Sequence, residues 1–119
     1  MSVELHQPIQ NFTALTTSDL TFHLADYQGK TNVVLYFYPK DNTPGCTTEA
    51  QNFRDHYAAF QALDTVIIGI SRDSLRTHEN FKTKHQLPFE LISDSDETLC
   101  RYFDVIKLKT LYGKQHLGI

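Results

Sequence analysis

The chain is poor in the residues that would announce a metal or disulfide protein. It has two cysteines, Cys46 and Cys100, far apart and with no C-x-x-C between them. That spacing gives no basis for a disulfide framework, and the six scattered histidines make no helical pair of ligand spacing. Tryptophan is absent and no apolar run approaches the roughly 20 residues a membrane span requires. Basic charge is equally lacking. A net charge of −3 with no Lys/Arg cluster argues against a nucleic-acid or membrane-surface partner. The first ten residues, MSVELHQPIQ, lack a basic region followed by an apolar stretch, so no signal peptide is expected and the expected location is the cytoplasm.

What is present reads as one soluble domain over residues 1–119, with 40% apolar and 21% charged residues. Residues 1–10 read as an extended arm. Phe12, Ala14 and Leu15, then Leu20, Phe22 and Leu24, flank a polar stretch from Thr16 to Asp19 and predict a hairpin. Residues 31–38, dense in β-branched and aromatic side chains, predict a strand covered on both faces. Ala50, Phe53, Tyr57 and Phe60 recur at helical spacing and predict one helix over about 45–63. A second buried strand follows at 65–70, then a helix bearing Leu75, His78 and Phe81, with His78 read as a core or edge histidine. Phe89 to Ile92 alternates, as a strand nearer a sheet edge would. Leu99 and Phe103 mark a short helix, and 105–119 reads as loop. The β-α-β-α-β-α order means an α/β fold with a parallel-type sheet.

The stretch Pro39-Lys40-Asp41-Asn42-Thr43-Pro44-Gly45-Cys46 carries the chemistry. Thr43 followed by Pro44 has the form of an N-cap with proline at the first helical position. Cys46 then falls in the first turn, four residues before Ala50 and so on the inward stripe. Backbone N–H groups there lack intrahelical partners and the helix dipole is positive at that end. Both favour the thiolate, the reactive form of cysteine. From these residues alone, Cys46 is either a small buried hydrophobe or a nucleophile.

The run Tyr36-Phe37-Tyr38-Pro39-Lys40-Asp41-Asn42-Thr43-Pro44-Gly45-Cys46-Thr47-Thr48-Glu49-Ala50 resembles the active-site signature of the peroxiredoxins. It is most similar to the bacterioferritin comigratory protein (peroxiredoxin Q) group. The likeness continues through Phe53-Arg54-Asp55, Gly69-Ile70-Ser71-Arg72-Asp73, Leu91-Ile92-Ser93-Asp94 and Tyr112-Gly113-Lys114.

The resemblance implies a thioredoxin-like fold of peroxiredoxin type, three-layer α/β/α with an N-terminal hairpin, and a thiol peroxidase that needs no cofactor and no metal. Cys46 would attack the peroxide. Thr43 would hydrogen-bond thiolate and peroxide, the backbone of Gly45 and Cys46 would hold the peroxide oxygens, and Pro39 would shield the pocket. Pro44, Phe37 and Tyr38 would line it, and Glu49 would brace it. The family's catalytic arginine, with further strands and a helix, is expected beyond Ile119, which reads as a C-terminal truncation. That leaves the edge of the 31–38 strand open, with Arg54 and Arg72 matching other positions. A resolving cysteine is absent at Gln51 and near Lys82. Cys100 is therefore a structural thiol or an atypical resolver, and the expected reductant is thioredoxin, glutaredoxin or a small thiol acting on a monomer or weak dimer. Two other functions compete: a disulfide reductase, disfavoured because position 43 is not a cysteine, and an inactive thioredoxin-like fragment with a binding role or none.

Overall fold

The computed structural model describes residues 5, 7–111 and 113–119. The expected arm falls partly outside them. A five-stranded sheet forms the centre, in the order β2-β1-β5-β4-β3. Strands β3 (Asn32–Phe37), β4 (Thr65–Ser71) and β5 (Leu91–Ser93) run parallel. Strands β1 (Thr13–Thr16) and β2 (Leu20–His23) form the expected hairpin, and β1 adds antiparallel to β5. Leu24 leaves the hairpin for a short 3₁₀ turn, Leu24–Tyr27.

Period-two alternation divides the strands between two apolar clusters. Val34, Tyr36, Tyr38 and Ile67 face α1 (Pro44–Asp55), α2 (Tyr57–Ala62) and α3 (Leu75–His85), meeting Ala50, Phe53, Phe60 and Phe81. Val33, Leu35, Phe37, Ile68 and Ile70 face the other way, onto Phe22, Tyr27 and Leu99 of α4 (Thr98–Tyr102). This is the three-layer thioredoxin-like arrangement. Ile67, Ile70, Leu91 and Ile92 are sealed from solvent, and burial stabilises each by about 1.5–3 kcal/mol.

Three expectations are corrected. The 45–63 helix is two helices, broken at His56 (φ −108°, ψ 8°). The His56 ring Nδ1 lies 2.9 Å from the Asn52 carbonyl, which its own backbone N–H also reaches, so the side chain competes for a ladder acceptor. Strand β5 is not near an edge but lies between β1 and β4, with both Leu91 and Ile92 buried. The segment expected to be loop contains a hairpin, β6 (Lys107–Leu111) with β7 (Lys114–Gly118), in which Leu108 pairs with Leu117. Gly113 takes φ 77° in its turn, a left-handed conformation that glycine adopts without strain. Strand β3 is the outer strand of the main sheet among the described residues, so its second edge has no strand partner there. No helix among the described residues is long and apolar enough to cross a membrane.

Candidate active site

Strand β3 delivers the site. The Tyr38 N–H still bonds the Ile70 carbonyl (3.0 Å), so the strand direction persists to the edge of the loop. Pro39, which has no N–H to offer a strand on the open edge, follows. Pro39 and Lys40 are exposed, Asp41 is buried, and Asn42 takes φ 65° to turn the chain. Thr43 is the N-cap of α1 with extended backbone (φ −89°, ψ 150°), and Pro44 occupies the first helical position. The local turn chemistry is therefore as its residues predict, with one difference. The Thr43 hydroxyl makes no cap bond and instead donates to the Lys40 carbonyl at 2.9 Å.

The first backbone bond of the helix runs from Thr47 N–H to the Thr43 carbonyl. The N–H groups of Gly45 and Cys46 precede it and belong to the turn that has no intrahelical acceptors. Cys46 is free and half-buried, and packs against the cluster that includes Tyr36, Tyr38 and Ala50. Beside it, Gly45, Thr48, Glu49, Asn52 and Phe53 line an open cavity of about 450 Å³. Partial burial pushes the Glu49 carboxyl above its ordinary range.

The remaining predicted residues divide. Thr43, Pro44 and Gly45 adjoin the thiol along the chain, and Tyr38 shares its face of the sheet. Phe37 does not. As the odd member of the alternation it lies on the opposite face, 5.3 Å from Phe103 between ring centroids. Cys100 is completely buried on α4, in that same opposite layer. Its backbone N–H donates to Asp94 Oδ2 (2.7 Å); burial first, then Asp94, pushes the thiol up to about 12. Arg54 and Arg72 are engaged elsewhere, on the His85 carbonyl and on Glu97.

A buried polar cluster under the 39–43 loop joins Tyr38, expected as a pocket-lining residue, and His78, expected as a core or edge histidine, through acids for which the sequence predicts no role of their own. Tyr38 donates its hydroxyl to Asp41 Oδ1 (2.6 Å), and His78 Nδ1 lies 2.6 Å from Asp41 Oδ2. The Asp41 N–H donates to Asp73 Oδ2 (2.9 Å), which also accepts from Ser71. Asp41, Asp73 and His78 present ligand atoms within 4.8 Å of one another. Mutual hydrogen bonds already engage those atoms and account for the grouping. Burial, with Asp41 next in size, raises the Tyr38 hydroxyl above its ordinary range. Tyr36, stacked on Tyr38 at 5.5 Å, is raised by burial and then by Glu49, Asp41 and Cys46; its hydroxyl is buried with no partner among the described residues. The Ser71–Asp73 and Tyr38–Asp41 pairs, two and three residues apart, have the short sequence spacing that could have signalled this cluster.

Comparison with known proteins gives a consistent picture. Residues 5–117 match the AhpC/TSA family model. The chain is 50% identical to peroxiredoxin Bcp of Bacillus subtilis over 119 residues, all of this chain and 75% of that one. It is 45% identical to the putative peroxiredoxin bcp of Coxiella burnetii, over all of this chain and 78% of that one. Among solved structures, Xanthomonas campestris peroxiredoxin Q superposes with a TM-score of 0.84 at 46% identity, over 91% of this chain and 68% of that one. A bacterioferritin comigratory protein from the same organism, studied for alkyl peroxide reduction, gives 0.83 at 45% identity, with the same coverage of 91% and 68%.

Proposed function

The chain belongs to the AhpC/TSA family, in its Bcp/peroxiredoxin Q branch, and on that premise we propose that it is a thiol-dependent peroxidase with Cys46 as its nucleophile. The observation that carries the reading is the placement of one half-buried, free thiol in the first turn of α1, behind Thr43 and Pro44. Residues 1–119 act together as one thioredoxin-like domain, in the cytoplasm, as a monomer or weak dimer.

The Cys46 thiolate attacks the distal oxygen of a peroxide, ROOH. An S–O bond forms as the O–O bond breaks, and the alkoxide leaves and takes a proton to become ROH. Cys46 is left as a sulfenic acid. The N–H groups of Gly45 and Cys46 are donors in the right place for a peroxide oxygen, and the helix dipole favours the negative charge there. Thr43 complements them. Its proton is committed to the Lys40 carbonyl, so its oxygen is left to accept the peroxide's O–H. Pro39, with Pro44, Tyr38 and Glu49, limits access to this corner.

Reduction requires a second thiol, R′SH. Its sulfur attacks the sulfenic sulfur, water leaves, and a mixed disulfide forms that a further thiol opens. Thioredoxin or a small thiol fits this role from outside. Cys100 is the poorer resolver, because it is buried in the opposite layer with its proton strongly held.

The test is peroxide consumption with thioredoxin or dithiothreitol as reductant. The wild-type chain should turn over and Cys46→Ser should lose at least 100-fold, while Cys100→Ser stays within threefold. Equal rates in wild type and Cys46→Ser would leave a binding fragment as the better reading.

A further inference from the structure

We propose that His78, whose hydrogen bonds reach Asp41 and Ile92, is a positioning residue for the peroxide reaction, acting through Asp41 on the loop that carries Pro39 and Thr43. The proposal rests on the peroxidase reading above and adds a residue to its machinery.

The His78 ring is completely buried in α3, and both nitrogens are engaged. Nε2 lies 2.9 Å from the Ile92 carbonyl of β5. A carbonyl only accepts, so Nε2 carries a hydrogen. Nδ1 faces Asp41 Oδ2 at 2.6 Å, the short separation of a charge-assisted bond. The ring therefore links β5 and α3 to a single residue of the loop.

Asp41 is held at every polar position it offers to this side. Oδ2 meets His78, Oδ1 accepts from Tyr38, and the backbone N–H donates to Asp73 Oδ2. Asp73 is fixed in turn by the Ser71 hydroxyl at the end of β4. The loop residue is thus bolted to β3, β4, α3 and, through the ring, β5. The residue before it, Lys40, supplies the carbonyl that orients the Thr43 hydroxyl, and the residue after it, Asn42, turns the chain at φ 65° into the N-cap. A loop that is mostly exposed has one buried residue, and that residue sets where Thr43 stands relative to Cys46. Displacement of a reactant by about 1 Å can lower a rate on the order of 100-fold.

Two substitutions separate this from a stabilising role. His78→Asn keeps a donor near the Nδ1 position and so keeps the Asp41 link. His78→Gln reaches the Nε2 position and so keeps only the Ile92 link. The readouts are the second-order rate of Cys46 oxidation by hydrogen peroxide and its rate of alkylation by iodoacetamide at the same pH. Alkylation needs the thiol but not a positioned peroxide. The expected result is a tenfold or greater loss of peroxide rate in His78→Gln with alkylation within threefold, and both rates within threefold of wild type in His78→Asn. Equal peroxide rates in the two variants, or peroxide and alkylation rates falling in parallel, overturn the proposal. If His78→Gln does not fold, Tyr38→Phe removes another bond to Asp41 and carries the same expectation.

Amide hydrogen exchange over 40–43 supplies a readout independent of catalysis. Faster exchange there in His78→Gln than in His78→Asn supports the brace; equal exchange overturns it. A wild-type chain that ignores peroxide while its loop exchanges in this order would sink the peroxidase reading and leave the brace standing.

Discussion

Cys46 and Cys100 are each the third residue of a helix that follows a core strand, and they sit in opposite layers of one sheet. At the start of α4 the backbone donors are taken by protein. Asp94 accepts from Leu99 N–H through Oδ1 (3.0 Å) and from Cys100 N–H through Oδ2 (2.7 Å). At the start of α1 no side chain caps the helix, no acidic residue stands in the first turn, and the Thr43 hydroxyl is turned to Lys40. One helix end already holds a carboxylate, and its cysteine is sealed beneath it. The other has no side-chain cap on its first turn, with its cysteine half-buried there. What distinguishes the surroundings of the two thiols is therefore the residue upstream, aspartate in one case and threonine-proline in the other.

The comparison breaks most sharply under alkylation. With the Cys100 thiol at about 12, only about one molecule in ten thousand carries that thiolate at pH 8. Brief iodoacetamide treatment of the native protein should label Cys46 at least 1,000-fold faster than Cys100, read by peptide mass spectrometry, and the two should converge in denaturant. Similar native rates for both would refute the contrast.

Alkaline stability tests the same difference from the side of folding. A raised folded-state pKa stabilises fully below the unfolded thiol's pKa, about 8.5, and that stability is lost as pH rises toward the folded value of about 12. In that window the folded chain keeps the proton that the unfolded chain releases. The slope is about 1.4 kcal/mol per pH unit at most. Urea unfolding at pH 8 and pH 10 should show the wild type losing about 2 kcal/mol more than Cys100→Ala. Every other group is common to the two proteins and cancels in the difference. Equal losses would mean that Cys100 ionises as easily folded as unfolded.

The two thiols were unequally legible in the sequence. Cys46 could be placed because its determinants are local: a strand that ends at Pro39, a Thr-Pro cap, and a helical stripe through Ala50 and Phe53. Cys100 could be put on a helix, but the acid that holds it acts from six residues upstream, outside the helical repeat. The Asp41–His78 link was less accessible still, since the partners stand 37 positions apart and meet only because β3, β4 and α3 pack together. Phe37 was misplaced by motif membership, although its strand alternation with Tyr36 and Tyr38 assigns it to the other face. The β6–β7 hairpin was missed for a different reason. Its strands are polar, Leu108 and Leu117 are exposed, and the turn residue Gly113 was the sole local sign.

Tyr36 and Tyr38 provide the finest test, because they project from one strand to the same face and differ in a single bond. The Tyr38 hydroxyl is satisfied by Asp41, so Tyr38→Phe should cost about 1.5–3 kcal/mol, as loss of a bond to a charged group does. The Tyr36 hydroxyl is buried without a partner among the described residues. It is wedged over Gly69, where an added Cβ would lie 2.9 Å from it. Removing an unsatisfied buried hydroxyl relieves its desolvation, so Tyr36→Phe should be neutral or stabilising by up to about 1 kcal/mol in urea unfolding. A destabilisation above about 1 kcal/mol would instead mean that the hydroxyl finds an acceptor in solution. Burial first, and then Glu49, Asp41 and Cys46, raises it above its ordinary range. In that event Tyr36 would join Tyr38 as a hydrogen-bonded group of that face, and the face would differ from the other by one more polar contact.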